Sequence, residues 1–314
     1  MAAAGAAGTF LGVSGLEAAP AGGQVLICKR PGVESESREL DLKLLREMVE
    51  QSMMKLTGAS SGRDAWAGMF KPTDVVGLKV NMLGKRNLKT RPELANIVAD
   101  GLIDAGLKAE NIIIWDRRTN EMKSCGYEIN EPEGSKGVKI FGSDRRYDAE
   151  ESSMGKFKGK FSRILSEMCT ATINMPMLKD HGISGVTVSM KNYYGAINNP
   201  GSHHATNCNP YIADLNSHPL IRSKERLILV DALTSCYNGG PGYKPQFTWQ
   251  ESAIMVGTDP VAMDRISEGI IEAKRKENGL PTLAEAGRPA KFIDTAVKLG
   301  LGEGDPAKIK VVEV

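Results

Sequence analysis

All four histidines of the chain, His181, His203, His204 and His218, fall in one stretch that also holds Lys191, Asn192, Tyr193, Tyr194 and Cys208. Imidazole is the commonest metal ligand and the usual acid or base near neutral pH, so this grouping is the first place to look for chemistry. His181 is the leading acid/base or ligand candidate. It lies two residues beyond Lys179, after Pro176 and before Gly182, a context that predicts an exposed loop aimed at a ligand. His203 and His204 join it as candidate metal ligands. In an extended segment adjacent residues point to opposite sides, so at most one of that pair shares a site with His181. No HExxH or HxH spacing fixes a metal. His218, just before Pro219, reads as a turn residue. Lys191 follows Val186-Thr187-Val188-Ser189-Met190 and either extends a strand or opens a turn. A lysine partly withdrawn from water in a cleft binds phosphate or carboxylate and titrates closer to neutrality.

A second set of polar residues falls where short β-branched runs end. Val75 to Asn81 has a strand pattern with Lys79 and Asn81 on one face, and Asp116 and Arg117 close the run from Asn111. Lys179, Asp180 and His181 follow the run Ala171 to Met175, while Asp231 closes Leu227 to Asp231 and Asp259 closes Ala253 to Gly257. In open α/β sheets ligands bind beyond the carboxyl ends of the strands, so such ends are expected to converge. Lys79, His181 and Lys191 are therefore the catalytic candidates. Asn81, Asp116, Lys179, Asn192, Asp231 and Asp259 are the candidate substrate contacts. Asn238-Gly239-Gly240-Pro241-Gly242 reads as a turn-rich loop without the GK[ST] ending of a phosphate-binding P-loop.

The elements that must position these residues alternate between strand and helix. Thr90, Pro92 and Glu93 have the spacing of a capping box, followed by Leu94, Ile97, Val98 and Leu102 at helical intervals. Asn209-Pro210 and Asp259-Pro260 each read as an N-cap with proline in the first turn. Helical patterns also cover Leu40 to Lys55 and Lys291 to Leu299, and further strands read at Val138 to Phe141 and Ile309 to Val314. This order predicts an α/β fold, a largely parallel sheet with helices on both faces and a ligand cleft at the strand carboxyl ends. Residues 23–314 form one such domain in this reading.

Composition narrows the function classes. With 40 Lys and Arg against 38 Asp and Glu in 314 residues, no global basic field exists to hold nucleic acid. Five cysteines, an odd number without a CxxC pair, argue against a disulfide framework and against a cysteine-ligated zinc or iron-sulfur site built by this chain alone. The first 22 residues differ from the rest: Met1 to Leu16 carries no charge and runs into Ala19-Pro20-Ala21-Gly22, like the apolar region and cleavage site of a secretory signal. The run is short for a membrane span. Its alanine- and glycine-rich character predicts a truncated twin-arginine signal whose basic pair lies upstream of Met1, and hence a periplasmic or extracellular protein; the alternative is a disordered Ala/Gly tail on a cytoplasmic protein.

Several runs resemble the DUF362 family. They include Lys79-Val80-Asn81-Met82-Leu83, Asn174-Met175-Pro176-Met177-Leu178-Lys179-Asp180-His181, Ser189-Met190-Lys191-Asn192-Tyr193-Tyr194-Gly195, and Gly257-Thr258-Asp259-Pro260-Val261-Ala262-Met263-Asp264. The resemblance spans roughly residues 70–270. It implies an uncharacterised protein, often exported by the twin-arginine route, some of whose relatives carry ferredoxin-type domains. This chain lacks the four-cysteine ferredoxin run, so no iron-sulfur cluster is expected from it alone, and in a redox role a separate ferredoxin-like partner is the candidate source of electrons. Together these readings predict a Lys/His/Asn-lined cleft for a small anionic ligand or a metal-bound cofactor, serving either a redox or metal-dependent enzyme or a non-catalytic solute- or metal-binding protein.

Overall fold

A computed structural model describes residues 23–85, 87–131 and 136–314. The signal-like segment 1–22 lies outside the described residues. The chain enters at strand β1 (Gln24–Lys29) and continues through helices α1 (Leu42–Thr57) and α2 (Gly62–Met69) to β2 (Val76–Lys79). Helix α3 (Pro92–Asp104), β3 (Ile112–Asp116), α4 (Thr119–Ser124) and β4 (Lys139–Gly142) complete the first half. A small hairpin, β5 (Ser152–Met154) with β6 (Phe157–Gly159), precedes β7 (Ala171–Asn174), β8 (Met177–His181) and β9 (Gly185–Val186). Then come the short helix α5 (Ser189–Asn192), α6 (Tyr211–Ser217), α7 (Pro219–Arg222), β10 (Glu225–Cys236), β11 (Thr248–Gly257), α8 (Pro260–Glu277), α9 (Lys291–Lys298) and β12 (Lys310–Glu313).

The main sheet runs in the order β12-β1-β11-β10-β7-β2-β3-β4, with β8 branching from β10 and β9 pairing with β8. Every neighbouring pair along that path is parallel except the two that β11 makes with β1 and β10. Along that path β11 alone runs against the rest; off it, β9 is antiparallel to β8. Strand β3 shows why the sheet is central. Its five residues are all buried, and alternation sends Ile112 and Ile114 to one hydrophobic layer and Ile113 and Trp115 to the other. Leu45, Met48 and Trp66 from α1 and α2 and Leu94 and Val98 from α3 fill the first layer. Ile212 from α6, Val261 and Ile271 from α8 and Phe292 from α9 fill the second. The fold is the expected mostly parallel α/β sheet with helices on both faces.

One of the three expected helix caps forms. Asp259 caps α8, its carboxylate accepting from the backbone N–H groups of Val261 and Ala262, with Pro260 in the first turn. The capping box before α3 does not form. Arg91 occupies the N-cap position, and the Thr90 hydroxyl instead donates to Met175 O and accepts from Asn81 N. Asn209 is likewise not the cap of α6; Pro210 holds that place.

Candidate functional site

The carboxyl ends of β2, β3 and β8 and the turn carrying α5 enclose a cavity of about 430 Å³. Lys79, Asn81, Asp116, His181, Lys191, Asn192 and His204 all line it. At one wall the buried Lys79 Nζ donates to Asp116 Oδ1 (2.7 Å) and to Val80 O (2.7 Å), while Asp116 Oδ2 accepts from Met82 N (2.8 Å). Both charges are thereby neutralised and fixed. Gly195 makes this possible, because a Cβ there would lie 2.7 Å from both Lys79 Nζ and Asp116 Oδ1.

A run of amides forms the floor. Lys179 Nζ donates to Asn81 Oδ1 (2.7 Å), Asn81 Nδ2 to Asn192 Oδ1 (2.9 Å), Asn192 Nδ2 to Asn174 Oδ1 (2.8 Å), and Asn174 Nδ2 to Glu225 Oε2 (2.9 Å). Every bond points the same way, from ammonium to carboxyl. Such a chain holds Asn81 and Asn192 rigidly at the cavity wall. Burial pushes the Lys179 amine down to about 8 and the Glu225 carboxyl up to about 7. Lys179 itself sits one bond below the cavity rather than on its surface, so the sequence expectation that it contacts a ligand gives way to a supporting position.

Lys191 is disposed differently. Helix α5 is clamped by Asp264, whose two carboxylate oxygens accept from Ser189 N (2.6 Å) and Met190 N (3.1 Å), and by Asn216 Nδ2 donating to Met190 O (2.9 Å). The helix aims the Lys191 ammonium over the ring of Tyr194, three residues on, at 3.9 Å from its centroid. It lies 3.2 Å from His204 Nε2, and His204 Nδ1 lies 2.9 Å from Pro200 O. A carbonyl only accepts, so His204 carries its proton on Nδ1 and takes one from Lys191 on Nε2. Among the described residues no carboxylate forms an ion pair with Lys191. Burial lowers its pKa to about 8.

His181 ends strand β8 and is 4% exposed, so it is not the exposed loop residue its sequence context predicts. Its Nδ1 accepts from the N–H groups of Ile183 (3.1 Å) and Ser184 (3.2 Å), which leaves Nε2–H as the donor on the cavity wall. Burial first, and then the positive Lys191, push its pKa down to about 2, so the ring is neutral. It stacks on His204 with centroids 5.6 Å apart.

The remaining sequence candidates lie elsewhere. His203 packs behind the wall against Phe157 and Tyr211, with its nitrogens at Asn199 O and Lys158 O. Only His204 of the adjacent pair reaches the cavity, though the pair lies at the end of a 3-10 turn (Pro200–His203) and not in the extended segment that the expectation assumed. Among the described residues no three His, Cys, Asp or Glu side chains are grouped to hold a metal. The donor set points the same way: His181 Nδ1 and both nitrogens of His204 are already engaged, so His181, His203 and His204 do not converge on one ion. His218 is the turn residue expected and caps α7 through Nδ1. Asp231 does not end a strand. β10 continues five residues further, to Cys236, and the Asp231 carboxylate accepts from Arg91 N and Leu233 N inside the protein. Asp259 does end β11, but that strand is the antiparallel one, so its carboxyl end lies at the opposite edge of the sheet. In the glycine-rich loop Gly240 N donates to Asp180 Oδ1 (2.8 Å), and a Cβ on Gly240 would sit 2.2 Å from Asp180 O. That loop is a packed turn contributing Pro241 to the cavity.

Sequence reasoning gave no role to Tyr194 or Thr187, which it named only as neighbours of Lys191, and none to Arg118 or Asn174. Tyr194 was findable, since Lys191 and Tyr194 have i,i+3 spacing once the segment is read as helical.

The model of a domain of unknown function, DUF362, matches residues 76–267. None of the curated proteins matches the chain. Among solved structures it is similar to a protein from Thermotoga maritima, at 12% identity and a TM-score of 0.41 over 76% of this chain and 59% of the other. It is also similar to the lactate racemase apoprotein from Thermoanaerobacterium thermosaccharolyticum, at 13% identity and a TM-score of 0.40 over 76% of this chain and 55% of that one. The chain thus spans less than two thirds of the length of either. With a family match over well over half its length and the family's runs lining the cavity, the chain belongs to the DUF362 family.

Proposed function

We propose that the cavity binds a small organic carboxylate and that Lys191 carries a proton to or from it. The observation that supports this most is an ammonium 5% exposed, facing a cavity, with no carboxylate paired to it. Holding such a charge out of water costs several kcal/mol, an expense that an entering anion offsets. His181 Nε2–H is a second donor, and Asn81 and Asn192 are held in place by the amide run. Lys79 is locked to Asp116 and serves as an anchor. A pKa of about 8 in the empty cavity makes Lys191 a base near neutrality, and a bound carboxylate raises that pKa and makes it an acid. The reading needs neither a metal ion nor an electron-transfer partner. Calorimetric titration with acetate, glycolate, pyruvate and malonate, repeated in buffers of different ionisation enthalpy, tests it. At pH 8.5 at least one should bind with proton uptake, and Lys191→Met should weaken it tenfold or more. Equal affinity in Lys191→Met would refute the proposal. Export directed by residues 1–22 is a separate proposal, tested by the N-terminal sequence of protein recovered outside the cytoplasm.

A further inference from the structure

Beyond Arg117 and Arg118 the cavity adjoins a second, of about 450 Å³, which shares those two arginines and Glu121 with the first. Arg145 and Tyr147 complete its wall. The two parts belong to neighbouring parallel strands: Arg117 and Arg118 follow β3, and Arg145 and Tyr147 follow β4, at the same edge of the sheet. The loops are tied together before any ligand arrives, since Ser143 N donates to Asp116 O (2.9 Å) and Asp144 N to Arg117 O (2.9 Å). Arg117 is itself held, with Nη2 donating to Asn198 O (3.1 Å).

The charge balance of this second cavity is positive. Among the described residues Arg117 and Arg145 form no ion pair, and Arg118 has only Glu121 at 4.0 Å. The remaining carboxylate, Asp144, is occupied by Thr119, accepting from its N–H (3.1 Å) and its hydroxyl (2.5 Å). Three guanidinium forks and a phenol around one opening offer more donors than the two oxygens of a carboxylate can take. A tetrahedral dianion accepting from several directions uses them.

We infer that this second cavity is a phosphate subsite, and that the ligand is a phosphorylated organic acid with its carboxylate at Lys191 and its phosphate among Arg117, Arg118 and Arg145. The inference rests on the Lys191 reading for the carboxylate end only. The two cavities share Arg117 and Arg118 and so adjoin along one wall.

Three probes test it on the full chain: inorganic phosphate, glycolate and phosphoglycolate, titrated into wild type and into a double variant Arg118→Gln, Arg145→Gln. Arg118 and Arg145 are exposed, so the double variant retains the fold. Phosphoglycolate should bind wild type at least tenfold more tightly than glycolate, and the double variant should erase that advantage; Arg145→Gln alone, at a residue that lines the second cavity only, should reduce the advantage while leaving glycolate binding unchanged. Inorganic phosphate should bind wild type and lose affinity tenfold or more in the double variant. Phosphate binding that is absent, or indifferent to the two substitutions, overturns the subsite. Loss of glycolate binding in Lys191→Met, alongside such indifference, would leave the Lys191 reading standing and this inference refuted. Phosphate binding lost only with the arginines, with no carboxylate sensitive to Lys191, would do the reverse.

Discussion

Arg91 and Lys191 are both cations withdrawn from water, and their surroundings treat them in opposite ways. Arg91 is paired with Glu34 and also donates to Thr234 Oγ1 (3.0 Å), while its backbone N–H reaches Asp231 Oδ2 (2.8 Å). Glu34 accepts from Thr234 as well (2.9 Å) and has Arg38 at 3.5 Å. That assembly staples the segment after β1 to the start of α3 and to β10, and it lines no cavity described above. Lys191 has an imidazole and an aromatic face in place of a carboxylate, and it opens on a cavity. Arg91 shows how this protein neutralises a buried charge when the purpose is structural. Lys179 is also buried without a paired carboxylate among the described residues, but it donates to Asn81 and lines neither cavity; on the proposed reading the counter-ion of Lys191, which does face a cavity, comes from outside.

The largest expected effect comes from removing one partner of the paired assembly. Glu34→Ala leaves Arg91 buried without its carboxylate and should cost about 3 to 5 kcal/mol in urea unfolding, with carboxylate binding to the folded protein unchanged. Lys191→Met should do the opposite, changing stability by no more than about 1 kcal/mol, or raising it, because a desolvated charge is replaced by an apolar chain of similar length. The comparison breaks if Lys191→Met unfolds the protein as badly as Glu34→Ala.

Between these extremes lies the Lys79–Asp116 pair, structural in its neutrality yet part of the cavity wall. Gly195→Ala drives a methyl group into both members and should cost about 1 to 3 kcal/mol by overpacking. It should also weaken ligand binding, which Glu34→Ala does not. A Gly195→Ala protein with full stability would show that the pair moves aside freely and is not a fixed anchor.

What the sequence made legible follows the range over which each residue acts. The ends of β2 and β3 delivered Lys79, Asn81 and Asp116 to one place because strand alternation and parallel topology are local rules with global consequences. Asp231 and Asp259 misled for reasons no short window contains: the first strand runs on past its aspartate, and the second is reversed in the sheet. The ring direction of His203 is set by its packing against Phe157 of β6, 46 positions earlier by number, which sequence spacing does not encode. Lys179 was placed in the right neighbourhood, and only the register of β8 against Asn81 decides that it supports the wall from beneath. The phosphate subsite was least visible of all, since surface arginines after a strand are common and only the adjacency of β3 and β4 gathers these.

Protonation sharpens the contrast further. Lys191 must be charged to hold an anion, and its pKa is about 8, so carboxylate affinity should be flat from pH 6 to 7.5 and then fall by up to about tenfold per pH unit. No inflection is expected near 6.5, because His181 is already neutral there. The depressed lysines also add a stability term of definite sign: between about 8 and the ordinary lysine value the unfolded chain binds protons the folded one does not, so their contribution rises with pH across that window, while the buried Cys169 and Cys236, raised to about 12, act the other way above the ordinary thiol value. Calorimetric binding from pH 6 to 10 checks the first, and the difference between the urea unfolding curves of wild type and Lys191→Met over the same range checks the second; a binding midpoint near 6.5 would transfer the titrating role from Lys191 to a histidine.

The smallest effect concerns what His181 does besides facing the cavity. Its Nδ1 satisfies two backbone N–H groups in the turn after β8, so His181→Ala strands both and should cost about 1 to 3 kcal/mol, more than an exposed loop residue would. Asparagine can offer an oxygen to the same donors, and His181→Asn should cost under about 1 kcal/mol. The two side chains differ in acid. Because the folded-state pKa of His181 is depressed to about 2, the unfolded chain takes up a proton below 6.5 that the folded protein refuses, and the stability it contributes is lost progressively as pH falls from 6.5. Glu225, Asp231 and Asp264, whose pKa values burial raises, push stability the other way over part of this range, equally in both proteins. The difference between the two unfolding curves therefore isolates His181: wild type should lose its small advantage near neutrality and become the less stable protein as pH falls toward 4. Parallel curves would mean that the ring accepts a proton in the folded state, and that the cavity is wetter and less positive than the Lys191 ammonium and the buried imidazoles imply.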